Sequence, residues 1–132
     1  MALKRSQTKA KLKKVLWGHF AIFIKNRDKW TCVTCGRKCT GQCMNAGHYI
    51  AKGACGAEYY FSEKNVHAQC SYCNLALEGN RPAYRQFIVK TYGDDVLWDL
   101  ENNYRKPSID YPYQEKIEYY KNLNKEYASR NS

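Results

Sequence analysis

The sequence predicts an α+β fold: a small cysteine-organised core of short strands and loops, entered through one helix and followed by others. Three observations predict it. Residues 8–26 place apolar side chains at three- and four-residue steps. Residues 30–80 hold all seven cysteines and six of the eight glycines, with little regular periodicity. Residues 81–132 return to helical patterning, punctuated by Gly93, Pro107 and Pro112. The chain therefore divides into a basic N-terminal arm and helix (1–29), a core (30–80) and a C-terminal helical extension (81–132), at 132 residues the size of one domain.

The first helix runs from about Thr8 to Asn26, with Leu12, Val15, Leu16, His19, Ile22 and Phe23 as its apolar stripe and His19 at the core or its boundary. In the core, Met44–Ile50 reads as one strand and Glu58–Phe61 as a second, and Asn74–Glu78 is helix-friendly. Pro82 suits a helix start, and that helix ends at Gly93. Asp94 is placed to cap the next helix, whose first turn is acidic as the helix dipole favours. A last helix, rich in Tyr, Lys and Glu, covers about Tyr113 to Ser129.

Composition narrows the function classes. Twenty-two Lys and Arg against 12 Asp and Glu give a net charge of +10, the balance of a protein that binds polyanions. Lys4, Arg5, Lys9, Lys11, Lys13 and Lys14 crowd the start of the chain, with no acid among the first 14 residues. Twelve tyrosines are too many for a disordered basic tail. No apolar run approaches the length of a membrane span, and the basic N-terminus lacks the apolar stretch of a signal peptide. The expected location is the cytoplasm, where cysteines at pair spacing point to metal before disulfide.

Cys32 and Cys35, with Cys70 and Cys73, form two C-x-x-C pairs that offer four thiolates to one tetrahedral structural zinc. Gly36 follows the first pair, where a knuckle turn needs positive φ. Thirty-four residues separate Cys35 from Cys70, against roughly 15–20 in a plain zinc ribbon, so a segment is inserted between the knuckles. Cys39, Cys43 and Cys55 lie in that insert. They are expected to be reduced thiols; a second zinc, or exchange into the first site, is the alternative.

The insert carries Asn45-Ala-Gly-His48-Tyr-Ile, and Asn65-Val-His67-Ala-Gln-Cys70-Ser-Tyr-Cys73-Asn74 follows it. This pattern resembles the HNH, or His-Me finger, nucleases. Read with Gly79-Asn80, Tyr84-Arg85 and Tyr92-Gly93, and with the helix leading into Cys-Val-Thr-Cys-Gly, residues 9 to 104 are similar to the NinG (Rap) family of phage lambda-type recombination proteins. The resemblance implies a zinc-stabilised ββα-metal core and a phage protein of the host cytoplasm. It also implies a structure-specific endonuclease of Holliday junctions and D-loops, with DNA as partner. On it, His48 is the general base, Asn65 holds the loop that orients the base, and Asn74 binds a catalytic Mg2+ or Mn2+.

The chemistry agrees with this assignment. A neutral imidazole takes a proton from water at neutral pH, and an amide oxygen suits magnesium. One departure stands out. Many HNH enzymes carry an acidic metal ligand immediately before the base histidine; here that position is Gly47. Glu78, four residues after Asn74, and His67 are the candidate replacements. Lys9, Lys11, Lys13, Lys14, Lys52, Arg81 and Arg85 are the expected DNA contacts. Symmetric cutting of a junction calls for a homodimer, which the tyrosine-rich C-terminal helix can supply, and other recombination proteins are further partners. Two alternatives accompany the junction endonuclease: a nicking or restriction-type HNH nuclease, and a non-catalytic zinc module that binds DNA.

Overall fold

The computed structural model describes residues 5–51, 53–107 and 109–131, with side chains from residue 8 onward. Lys4 and Lys52 lie outside the described residues. The architecture is α+β and mostly helical. Helix α1 (Arg5–Arg27) leads through a loop to strand β1 (Met44–His48). The one-turn helix α2 (Ala57–Tyr60) precedes strand β2 (Val66–Cys70), and α3 (Arg81–Tyr92), α4 (Asp94–Asn103) and α5 (Tyr113–Arg130) complete the chain.

α1 is present as expected, but its buried stripe is rotated. Leu16, Phe20 and Ile24 are completely buried, while Val15 and Ile22 face solvent. The packed residues Leu12, Leu16, Phe20 and Ile24 recur at four-residue steps, each drifting about 40° around the 3.6-residue turn, so the stripe winds along α1. His19 is half-buried, at the boundary. The stripe packs on Tyr113, Ile117 and Tyr120 of α5 and on Phe61 and Val66. The apolar face of α5 is thus packed against α1 within the chain. At the end of α1, Arg27 donates to the carbonyls of Glu63 (2.7 Å) and Val66 (2.9 Å). Asp28 accepts from the Ala68 amide at 2.8 Å. These bonds fix the helix to β2.

β1 and β2 pair antiparallel in register, from Met44 opposite Cys70 to His48 opposite Val66. The expected strand at Glu58–Phe61 is instead α2 and its end. The amides of Tyr59 and Tyr60 bond to the Gly56 carbonyl, and this single turn buries Tyr59 and Phe61. The second strand lies later, at residues 66–70, where every residue is buried, so no alternation marks it. Asn74–Glu78 is not a regular helix either. A π-helical turn covers Tyr72–Ala76, and Glu78, Gly79 and Asn80 then all adopt positive φ (50°, 96° and 47°). That left-handed run turns the chain into α3, with Pro82 in its first turn as expected. Gly93, at φ 95°, and not Asp94, stands at the N-cap of α4. α3 and α4 build a second core around Tyr49, Tyr59, Tyr84, Ile88, Leu97 and Leu100. Among the described residues, no helix is long and apolar enough to cross a membrane.

Candidate active site

Cys32 and Cys35 sit on the loop after α1, Cys70 at the end of β2 and Cys73 in the π-helical turn. All four sulfurs lie within 4.8 Å of one another, and Cys35 and Cys70 are 3.7 Å apart. Such a set fits tetrahedral zinc, whose Zn–S bonds are about 2.3 Å. The knuckle takes its expected shape: the Gly36 amide bonds the Cys32 carbonyl at 2.8 Å, with φ 83° at Gly36. Cys39 and Cys43, expected as thiols, form a disulfide instead. Gly41 (φ 73°) and the 3-10 turn Gly41–Cys43 fold the chain back, bringing their Cα atoms to 6.1 Å. Cys55 is half-buried.

A cleft of about 310 Å3 is lined by Trp17, Ala46, His48, Ala51, Asn74, Leu75, Glu78, Gly79 and Arg81. β1 delivers His48, whose Nε2 lies 2.9 Å from the Tyr60 carbonyl. That carbonyl can only accept, so Nε2 carries the proton and the lone pair lies on Nδ1. Trp17 of α1 stacks on the imidazole, 5.2 Å between centroids and 14° from parallel. Asn65 is fully buried behind it: Oδ1 accepts from the Ile50 amide (2.8 Å) and Nδ2 donates to the Tyr59 carbonyl (3.0 Å). Asn65 thereby ties the loop after His48 to the turn that anchors the His48 ring. The π-helical turn presents Asn74, and the left-handed turn brings Glu78 to the same cleft.

The family model described as bacteriophage lambda NinG protein matches residues 2–130. The chain belongs to the NinG family. Protein ninG of Escherichia phage lambda is 30% identical over 115 residues, covering 80% of this chain and 55% of the relative. Protein ninG of Salmonella phage P22 is 32% identical over 85 residues, covering 64% of this chain and 41% of the relative. The chain thus spans about half the length of the curated relatives it matches. No solved structure matches it.

In this NinG-family chain, four of the expected site residues, His48, Asn74, Glu78 and Arg81, line one cleft. The Arg81 guanidinium also donates to the Tyr49 carbonyl at 2.8 Å, bracing the end of β1. Arg85 points elsewhere, toward Glu101 at 3.6 Å. Lys9, Lys11, Lys13 and Lys14 are exposed along α1. Lys13 lies over the Tyr60 ring at 4.3 Å, beside His48.

His67 is not at the cleft. It is buried on the other face of the hairpin, with Nδ1 3.0 Å from the Tyr84 hydroxyl and Nε2 2.7 Å from that of Tyr92. Tyr84 in turn donates to the Gly47 carbonyl at 2.7 Å. The Tyr92–His67–Tyr84 chain therefore holds the β1 backbone next to the base, so His67 is a structural hydrogen-bonder and not a metal ligand at the cleft. The part played by Trp17 has no sequence signature, since aromatic stacking on a distant strand leaves no local signal.

Burial, reinforced by the nearby Arg27 charge, pushes His67 down to about 3. Between that value and the ordinary one near 6.5, the unfolded chain carries a proton on this histidine that the folded chain lacks. Stability therefore falls as pH drops from about 6.5 toward 3, by up to about 1.4 kcal/mol per pH unit from this group. Urea titrations between pH 7 and 5 should show a steeper acid loss for wild type than for His67→Gln. Equal slopes would remove His67 from the acid response.

Proposed function

We propose that this NinG-family chain is a metal-dependent endonuclease of the His-Me finger type that cuts branched recombination intermediates, four-way junctions and D-loops. The observation that carries the reading is the convergence of His48, Asn74 and Glu78 with Arg81 in one cleft, with Asn74 next in sequence to Cys73 of the four-cysteine cluster. The sequence likeness to HNH nucleases gives that convergence its chemical meaning. The cysteine cluster, holding zinc, is structural in this reading: four thiolates leave no open coordination position.

His48 acts as general base. Its Nε2 proton is held by the Tyr60 carbonyl, so Nδ1 accepts the proton of the attacking water. Trp17 and Asn65 keep the ring from turning, and His67 and Tyr84 keep the strand beneath it in place. Asn74 and Glu78 offer oxygen ligands to a divalent ion. Such an ion, when bound, neutralises charge developing at the scissile phosphate and the leaving oxygen. Arg81 contacts the phosphate flanking the cut. The proposed partner is branched DNA in the host cytoplasm, with a homodimer and other recombination proteins completing the assembly.

Lys9, Lys13 and Trp17 follow each other at four-residue steps along one face of α1, making a basic track into the cleft. A Lys9→Ala/Lys13→Ala variant should bind every junction sequence more weakly. Its log K against log salt slope should shrink by about two, measured by fluorescence anisotropy. An unchanged slope would take the track off the DNA path.

Gly47 in place of an acid favours a second reading, a zinc module that binds DNA without cutting. Cleavage assays with a four-way junction, a D-loop and a linear duplex separate the two. Preferential cutting of the branched substrates supports the nuclease. Cutting of linear duplex as fast as junctions replaces branch specificity with a nicking-type activity, and tight junction binding without cleavage marks the binding module.

A further inference from the structure

Gln69 is the last residue of β2 before Cys70, and its side chain is completely buried. Its Nε2 donates to the Gly79 carbonyl at 2.8 Å and to the Thr34 hydroxyl at 3.2 Å. The first bond fixes which end of the amide is oxygen, since turning it over would press two oxygens together. Among the described residues, Gln69 Oε1 is the one buried side-chain polar atom without a hydrogen-bond partner. A buried acceptor left in that condition is unusual and calls for a ligand.

The oxygen points at the space above Gly47. A Cβ built there would overlap Gln69 Oε1 and stand 2.9 Å from Asn74 Oδ1. Two amide oxygens therefore converge on the volume that a side chain at position 47 would fill. Both carry partial negative charge, and their mutual approach is favourable only with a cation or a donor between them. Asn74 also lines the cleft, and Glu78 lines it too, so a carboxylate is at hand.

We infer that Gln69 Oε1 and Asn74 Oδ1 are paired ligands of a hard divalent cation, Mg2+ or Mn2+, seated over Gly47. This inference rests on the nuclease reading only for the task given to the ion. All-oxygen ligands select such ions over the soft metals that thiolates prefer. The arrangement also explains why position 47 has no side chain: the place of the missing carboxylate is taken by Gln69 reaching across from β2. Gln69 immediately precedes Cys70 and Asn74 immediately follows Cys73, so the cysteine cluster sets the separation of the two oxygens. Gln69 lies on the same sheet face as position 47, one pleat along the partner strand.

The test uses the full zinc-loaded chain, 15N-labelled, with Mn2+ added at substoichiometric amounts. The side-chain amide resonances of Gln69 and Asn74 should broaden first, and no variant is required for this readout. In Mn2+ titrations followed by EPR, Gln69→Ala should weaken binding by about tenfold or more, at least the scale on which outer-shell partners act. Gly47→Asp/Gln69→Ala should recover the affinity, because it returns a carboxylate to the space that Gln69 vacates. A merely structural role for Gln69, as the tie to Gly79, is lost equally in both variants and predicts no recovery. Broadening of Asn74 without Gln69, or no recovery in the double variant, overturns the proposal and leaves the nuclease reading standing. An Asn74 amide turned over, giving its N–H to Gln69, predicts no Mn2+ broadening at either residue; this too overturns the proposal. The nuclease reading falls separately, if the wild type binds Mn2+ at these residues and cuts no DNA.

Discussion

Replacing His48 with alanine is expected to lower the rate of junction cleavage by about a hundred- to ten-thousand-fold, the range that general-base catalysis contributes. Junction affinity should change little. Phosphate binding is assigned to Arg81 and the lysines of α1, and the imidazole contributes no charge as a neutral base. The ring is hydrogen-bonded to the Tyr60 carbonyl and stacked on Trp17. It is half-buried at the end of a strand, so its removal leaves a cavity open to the cleft and not a hole in the core. Thermal stability should therefore fall by only a small amount. Single-turnover rates, anisotropy and a melting curve on the same preparation separate these effects. A parallel loss of binding and cleavage would show that His48 works as a structural prop.

Removing the metal from the four-cysteine cluster is expected to have the largest structural effect. Zinc binding in small cysteine sites provides about 10–16 kcal/mol, as much as the entire stability of an ordinary domain. Here the cluster joins three separate pieces of chain: the knuckle after α1, the end of β2 and the π-helical turn. The packing immediately around it is thin, limited to Met44, Ala68, Trp30 and Cys39 beside the ligands themselves. Chelation, or Cys73→Ser, should release the hairpin and the Asn74 turn and abolish cleavage. The α1–α5 packing, with its own aromatic core, should retain much of the helical circular dichroism. Metal analysis should return one zinc per chain. Two equivalents, or an unaltered hairpin after chelation, would contradict this assignment.

Much of the site was legible because its chemistry is written in fixed spacings. Two C-x-x-C pairs and an asparagine after the second define positions that any fold must bring together. His48 on a strand with Asn65 ahead of the second pair completes the pattern. The elements were less legible where burial is total. β2 has no exposed residue and so no alternation, and Tyr59, Tyr60 and Phe61 resemble a strand by composition although Gly56 starts a helical turn there. The stripe of α1 was misplaced because Leu12 and Leu16 belong to two overlapping periodic sets, and only packing against α5 and β2 selects the one containing Phe20 and Ile24. Gln69 could not have been found from sequence. Its significance lies in a single unpartnered oxygen that stands where a side chain at position 47 would, which is a property of the folded chain alone.

The proposed nuclease cuts DNA in the cleft between β1 and the turn carrying Asn74. The most direct measurement incubates the wild-type chain and His48→Ala with a labelled four-way junction, with Mg2+ and with EDTA. Cleavage near the branch is expected with wild type and Mg2+ alone, and an intact junction in the other three reactions. An intact junction with wild type under Mg2+ and Mn2+ alike, or equal cutting by His48→Ala, would contradict it.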